Sequence, residues 1–145
     1  MTWLMNATDQ IKVDRSHPGG NEHVYTQAAR VLGRGHLLSV FPEGWMSKDG
    51  ITTKAYRGVA RIALQNKVDI VPVVFKGSHH IYPYNAKGPV FGKKCTVVIL
   101  EPLKYSKIKN LTPAKIVHDL LMPKIAAELG HEYAHRHLAD ELTAE

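Results

Sequence analysis

Three apolar runs constrain what this chain can fold into. They are Leu37-Leu38-Ser39-Val40-Phe41, Ile70-Val71-Pro72-Val73-Val74-Phe75 and Cys95-Thr96-Val97-Val98-Ile99-Leu100. Each is strand-length, rich in branched residues and stopped by proline or glycine shortly after it ends. Between them lie segments of helical period. Asn21 is placed to cap a helix in which Val24, Ala28, Val31 and Leu32 share a face, with Gly33 as its stop. Gly58 to Gln65 reads as a second helix, with Val59, Ile62 and Ala63 inward. Thr112-Pro113 starts a third, cap followed by proline at the first position, and Pro123 is expected to bend or divide it. Ahead of these, Gln10 to Val13 is a short extended segment, followed by the loop Ser16 to Gly20. Strands alternating with helices predict an α/β domain, a mostly parallel sheet flanked by helices. Pro72 places its run at a sheet edge or strand end.

At 145 residues the chain is sized for a single domain, 1–145, with a real core. The first ten residues have no basic, apolar or cleavage regions of a signal peptide, and no aliphatic run approaches the ~20 residues of a membrane span. One cysteine, Cys95, forms no internal disulfide and suits a reducing compartment; at the head of a strand it reads as a buried structural thiol. The net charge of +6 is unevenly spread. Residues 51–110 hold eleven Lys/Arg against two Asp/Glu, whereas 111–145 hold three against six. A basic middle suits phosphorylated metabolites or an anionic bilayer surface. Its lysines are not interleaved with stacking aromatics, which argues against nucleic acid.

Phe41-Pro42-Glu43-Gly44 carries the chemistry. A carboxylate between a stiffening and a turning residue at a strand end is displayed at a set place, as a group that must meet a small polar substrate requires. Around it, Val13-Asp14-Arg15-Ser16, Phe41-Pro42-Glu43-Gly44 and Ile70-Val71-Pro72-Val73 resemble, in order and spacing, the second, third and fourth motifs of the glycerophospholipid acyltransferases. That family includes the lysophosphatidate and glycerol-3-phosphate acyltransferases. Gly33-Arg34-Gly35 and Tyr56-Arg57-Gly58-Val59-Ala60-Arg61 match as well. The resemblance covers residues 1 to 104, leaving a helical tail at 112–145 unmatched.

The resemblance implies a glycerol-3-phosphate acyltransferase-like fold and acyl transfer to a glycerol-phosphate or lysophospholipid hydroxyl. The donor would be a thioester, acyl-CoA or acyl carrier protein, with no further cofactor and no metal. It makes Arg15, beside Asp14, the phosphate anchor. Glu43 becomes the catalytic-site carboxylate that binds and orients the glycerol part, within Phe41, Pro42 and Gly44, and Pro72 shapes the floor. It also implies a cytoplasmic protein peripherally held at the inner face of a membrane.

The sequence departs from the family in two places. The third motif commonly continues with threonine, arginine and serine, but here it continues Trp45-Met46-Ser47. Lys48, Lys54 or Arg57 then stands in for the second cation. The family's base, a histidine with an aspartate five positions on, does not precede Asp14. The chain is therefore expected to be a shortened piece of an acyltransferase or a protein that has lost its base. A non-catalytic lipid- or phosphate-binding remnant is the alternative. His135 and Asp140 repeat the spacing, but after the other motifs. The tail also holds His131-Glu132-Tyr133-Ala134-His135. On a helix its histidines would share a face, the arrangement of a zinc hydrolase. His79-His80 reads as a loop pair near the site.

Overall fold

The computed structural model describes residues 10–13 and 21–135. The chain forms two compact units, Met1–Ser39 and Val40–Glu145. The first contains helix α1, Glu22–Gly33, with Asn21 at its N-cap position and Glu22 in its first turn. Ala28 is buried, and Val24, Val31 and Leu32 are partly so, which is the face that the spacing predicts. His23 Nε2 lies 2.7 Å from the Lys12 carbonyl, tying the segment 10–13 to α1.

The second unit runs α2 (Gly58–Asn66), β1 (Val73–Lys76), α3 (Ser78–Ile81), β2 (Thr96–Ile99) and α4 (Tyr105–Ile108). A final helical run follows: α5 (Pro113–Lys115), a π-helical stretch Ile116–Leu121, and α6 (Met122–Leu129). Strands β1 and β2 pair antiparallel, with Val73 opposite Ile99 and Lys76 opposite Thr96. The ladder is extended by Leu100 N–H donating to Pro72 O, and by the Ile70–Leu103 bridge. Pro72 thus stands just ahead of β1 and contributes only its carbonyl, as a residue without an N–H must. This ladder is antiparallel, and the parallel pairing that the alternation predicts is not among the described residues.

Residues 37–41 form no ladder either. Leu37 is 97% and Phe41 74% exposed, so the buried strand expected there is absent from the described structure. An apolar run becomes a buried strand only against a partner, and here the boundary between the two units falls within the run, after Ser39.

The core of the second unit lies between α2 and the last helical run. Ala60 and Ala63 meet Ile108, Ile116, Val117, Leu121, Met122 and Ala126, with Ile70 and Leu103 closing one side. Val74 is buried, β1 packs against α6, and Lys76 bonds Glu128 of α6 at 2.7 Å. The other sheet face, Val73, Phe75, Val97 and Ile99, is exposed. Cys95, beside β2, is half-buried and unpaired. At α4, Asp69 accepts from Tyr105 N–H and from Lys104 Nζ, and these bonds hold its carboxyl below the usual range.

Thr112 caps α5 by accepting from Lys115 N–H, with Pro113 in the first turn, as the sequence predicts. Pro123 lies in the first turn of α6, where the run passes from π-helical to α-helical, so the regular helix is divided beside it. Proline lacks an N–H and its ring collides with the carbonyl four residues back. The turn ahead of it, Ile116–Leu121, is widened to π-helical.

The π-helical stretch carries His118, 1% exposed, whose Nδ1 lies 2.9 Å from the Tyr133 hydroxyl. Burial, then the charges of Lys54 and Arg57, hold the His118 imidazole below its ordinary value. It is therefore neutral, with Nδ1 within hydrogen-bond reach of the Tyr133 hydroxyl. Burial pushes the Tyr133 phenol up, so it keeps its proton.

Two outcomes are expected. Gly77 holds φ +81°, and a Cβ there would sit 2.7 Å from the Lys94 carbonyl oxygen, a backbone atom. Gly77→Ala should cost about 2 kcal/mol in urea denaturation, whereas Gly88→Ala, with open space around it, should cost little. For His118, the unfolded chain takes up a proton below the ordinary value of 6.5, and the folded chain only at lower pH. The unfolded state thus binds more protons in that window, so stability is full above 6.5 and falls as pH drops below it. The His118 ring resonance should remain that of a neutral imidazole at pH 6.5; half-titration there would refute this.

Candidate functional site

Phe41-Pro42-Glu43-Gly44 closes as a turn. Gly44 N–H donates to Phe41 O at 3.1 Å, and Gly44 takes φ +69°. Pro42 O accepts from Tyr56 N–H at 2.8 Å, which brings the segment after the loop back alongside. Across this closure Glu43 Oε2 accepts from both donors of Thr53, the backbone N–H and, at 2.9 Å, the hydroxyl. The carboxylate between the two breakers is thus held by a residue ten positions on.

The loop between is set by its own side chains. Asp49 Oδ1 accepts from Ile51 N–H at 3.0 Å and from the Ser47 hydroxyl at 3.1 Å, and Ser47 Oγ accepts from Gly50 N–H. Those bonds, Ile51 first, hold the Asp49 carboxyl below its usual range. Gly50, at φ +84°, lies against the His79 ring; a Cβ there would stand 2.7 Å from His79 Cε1. His79 and His80, ring centroids 3.8 Å apart, belong to α3, and His79 buttresses this loop at Gly50.

Glu43 opens on a cleft of about 520 Å³. Its charged walls are Glu43, Asp49, Lys48 and Lys54; its apolar walls are Trp45, Met46, Tyr56 and Tyr84, with Thr53 beside Glu43. Lys48 Nζ sits 5.2 Å from the Tyr84 ring centroid, in cation–π range. Of the three residues considered for the missing cation, Lys48 and Lys54 line the cleft, and Arg57 instead precedes α2 at its N-cap position. A carboxylate fixed by hydrogen bonds beside two ammonium groups and an aromatic wall can hold a polyol phosphate with an apolar substituent.

The other expected site residues separate. Phe41, Pro42 and Gly44 build the turn behind Glu43 without lining the cleft. Pro72 sits at the start of β1, also outside the lining. Asp14, Arg15 and Asp140 lie outside the described residues.

The His131-Glu132-Tyr133-Ala134-His135 pattern needs correction. Helix α6 ends at Leu129, and Gly130 takes φ +89°, so residues 131–135 are not helical and the shared-face argument fails. His131 Nε2 instead accepts from Thr52 N–H at 3.0 Å and lies 2.9 Å from the Thr52 hydroxyl. Tyr133 Oη accepts from Ala55 N–H at 3.2 Å. Sequence reasoning missed Thr53, His131 and Tyr133 as parts of the site. Their partners lie 10, 79 and 78 residues away, with no periodicity to announce them. Among the described residues no group of three or more His, Cys, Asp or Glu is arranged to hold a metal, and no helix is long and apolar enough to cross a membrane.

Comparison with known proteins bears on this cleft. A family model described as Acyltransferase matches residues 1–76, which include the Phe41–Gly44 turn and the whole 47–56 loop. A 1-acyl-sn-glycerol-3-phosphate acyltransferase of Limnanthes douglasii is 35% identical over 77 residues, 52% of this chain and 27% of that protein. A chloroplastic 1-acyl-sn-glycerol-3-phosphate acyltransferase of Arabidopsis thaliana is 27% identical over 105 residues, 72% of this chain and 30% of that protein. The alpha form from Mus musculus is 26% identical over 122 residues, 83% of this chain and 40% of its own length. The chain therefore spans well under half the length of these relatives. No solved structure matches it.

Proposed function

The chain belongs to the acyltransferase family, and from that premise we propose that its cleft binds the acceptor of an acyl transfer in phospholipid synthesis. The acceptor would be a lysophospholipid or glycerol phosphate. The relatives are named for 1-acyl-sn-glycerol-3-phosphate, an acceptor with a phosphate, a free hydroxyl and one acyl chain. The observation that carries the reading is that one cleft holds the Thr53-fixed Glu43 together with Lys48 and Lys54.

The roles follow from charge and shape. Lys48 and Lys54 neutralise the acceptor phosphate. Glu43, already oriented by Thr53, accepts from a glycerol hydroxyl and turns the glycerol so that the reacting oxygen faces the donor. Trp45, Met46 and Tyr56 cover the first carbons of the acyl substituent. In the reaction the acceptor oxygen attacks the thioester carbonyl of acyl-CoA or an acyl carrier protein. A C–O ester bond forms, the C–S bond breaks, the hydroxyl proton passes to a base and the thiolate leaves.

A second reading is binding without turnover. It is favoured by the absence of histidine from the cleft lining among the described residues, since the reaction needs a general base. Both readings extend to a cytoplasmic protein at the inner face of a membrane, drawn there by the basic segment 51–110.

Titration with monomeric lysophosphatidate by calorimetry tests the site. Lys54→Ala and Glu43→Gln should each weaken binding roughly tenfold or more, the worth of one charge-assisted hydrogen bond. A monoacylglycerol without the phosphate should bind more weakly and be indifferent to Lys54→Ala. Equal affinity for the two ligands would refute a phosphate site.

A further inference from the structure

We propose that His131 and Tyr133 are positioning residues that clamp the Glu43 side of the cleft; their effect on ligand rests on the reading above, but the clamp itself does not. Residues 51–56 belong to no ladder or helix, so their backbone groups need other partners. Along this stretch burial alternates unevenly: Thr52 and Ala55 are buried, whereas Thr53 and Lys54 are exposed and line the cleft. The two buried residues give their N–H groups to the tail, Thr52 to His131 Nε2 and Ala55 to Tyr133 Oη. The exposed Thr53 gives both of its donors to Glu43. The tail therefore holds the inner side of the stretch whose outer side holds the carboxylate.

The clamp is itself anchored. Gly130, in the left-handed region, turns the chain back at the end of α6, with its N–H on Ala127 O and His131 N–H on Ala126 O. Tyr133 then reaches the core, where its hydroxyl lies within hydrogen-bond reach of His118 Nδ1. Because Nε2 of His131 accepts from a backbone N–H, the ring proton must sit on Nδ1. An acceptor at that point is the property that the position needs. His131 and Tyr133 lie beyond residue 76, where the family match ends, so the family's own motifs do not assign them this role.

The test uses the full chain with His131→Ala, His131→Gln and Tyr133→Phe. Glutamine carries a carbonyl oxygen close to where Nε2 stands, so it restores the acceptor. Amide hydrogen exchange at Thr52 should quicken roughly tenfold in His131→Ala and return toward wild type in His131→Gln. Ala55 should respond in the same way to Tyr133→Phe. Affinity for lysophosphatidate should fall with His131→Ala and recover with His131→Gln. Unchanged exchange at Thr52 in His131→Ala would overturn the proposal. So would quickened exchange throughout the core with no recovery in His131→Gln, which marks general destabilisation. Should His131→Ala not fold, Tyr133→Phe and His131→Gln carry the same comparison. If wild type binds no lysophosphatidate, the acceptor reading falls, and the exchange at Thr52 and Ala55 still decides the clamp.

Discussion

The hydroxyl of Tyr133 joins the core of the second unit to its cleft. It accepts from Ala55 N–H on one side and lies 2.9 Å from His118 Nδ1 on the other. Both partners are buried, so neither group has water to fall back on, and loss of the hydroxyl would leave two unsatisfied polar atoms. The His118 imidazole is held in its neutral form. The burial and the nearby cations that depress its basicity enforce that condition.

His118 lies in the π-helical stretch that ends just ahead of Pro123. Pro123 would break a regular helix, and the turn Ile116–Leu121 ahead of it is wide. His118 is buried there together with Ile116, Val117 and Leu121. Beyond the widened turn, α6 runs only to Leu129 before Gly130 reverses the chain. That reversal carries His131 and Tyr133 to the 52–55 stretch. One glycine in the tail therefore sets where the cleft's inner supports arrive.

What the sequence made legible divides along the range of the forces involved. The apolar runs at 70–75 and 95–100, the Thr112-Pro113 start and the inward face of α1 are local patterns, and they appear where expected. The direction of pairing between β1 and β2 is not local, because it depends on how the long connection through α3 returns. The run at 37–41 misled because hydrophobicity states a need for a partner without supplying one. His131 and His135 misled for a related reason: their spacing is meaningful only on a helix, and Gly130 had already ended it. Glu43 was legible from its two flanking breakers. Thr53, which holds it, was not, since a threonine in a polar loop looks like any other.

On the proposed function, Trp45-Met46-Ser47, standing where the resemblance implies threonine, arginine and serine, would alter how a phosphate is held. An arginine presents a planar fork that fixes a phosphate in orientation as well as in place, whereas a lysine is a flexible point charge. Lys48 and Lys54 supply charge from two walls of the cleft, and Lys48 rests against the Tyr84 ring. Neither ammonium dictates which phosphate oxygen it meets. On the proposed function, orientation of a glycerol phosphate would fall to the group whose geometry is fixed, and that is Glu43, held by both donors of Thr53. The burden on the 52–55 stretch would be correspondingly greater here than where a guanidinium shares the task. Under that proposal, two point charges in place of a fork would give a function to the two bonds that fasten the backbone behind the carboxylate, at Thr52 and at Ala55.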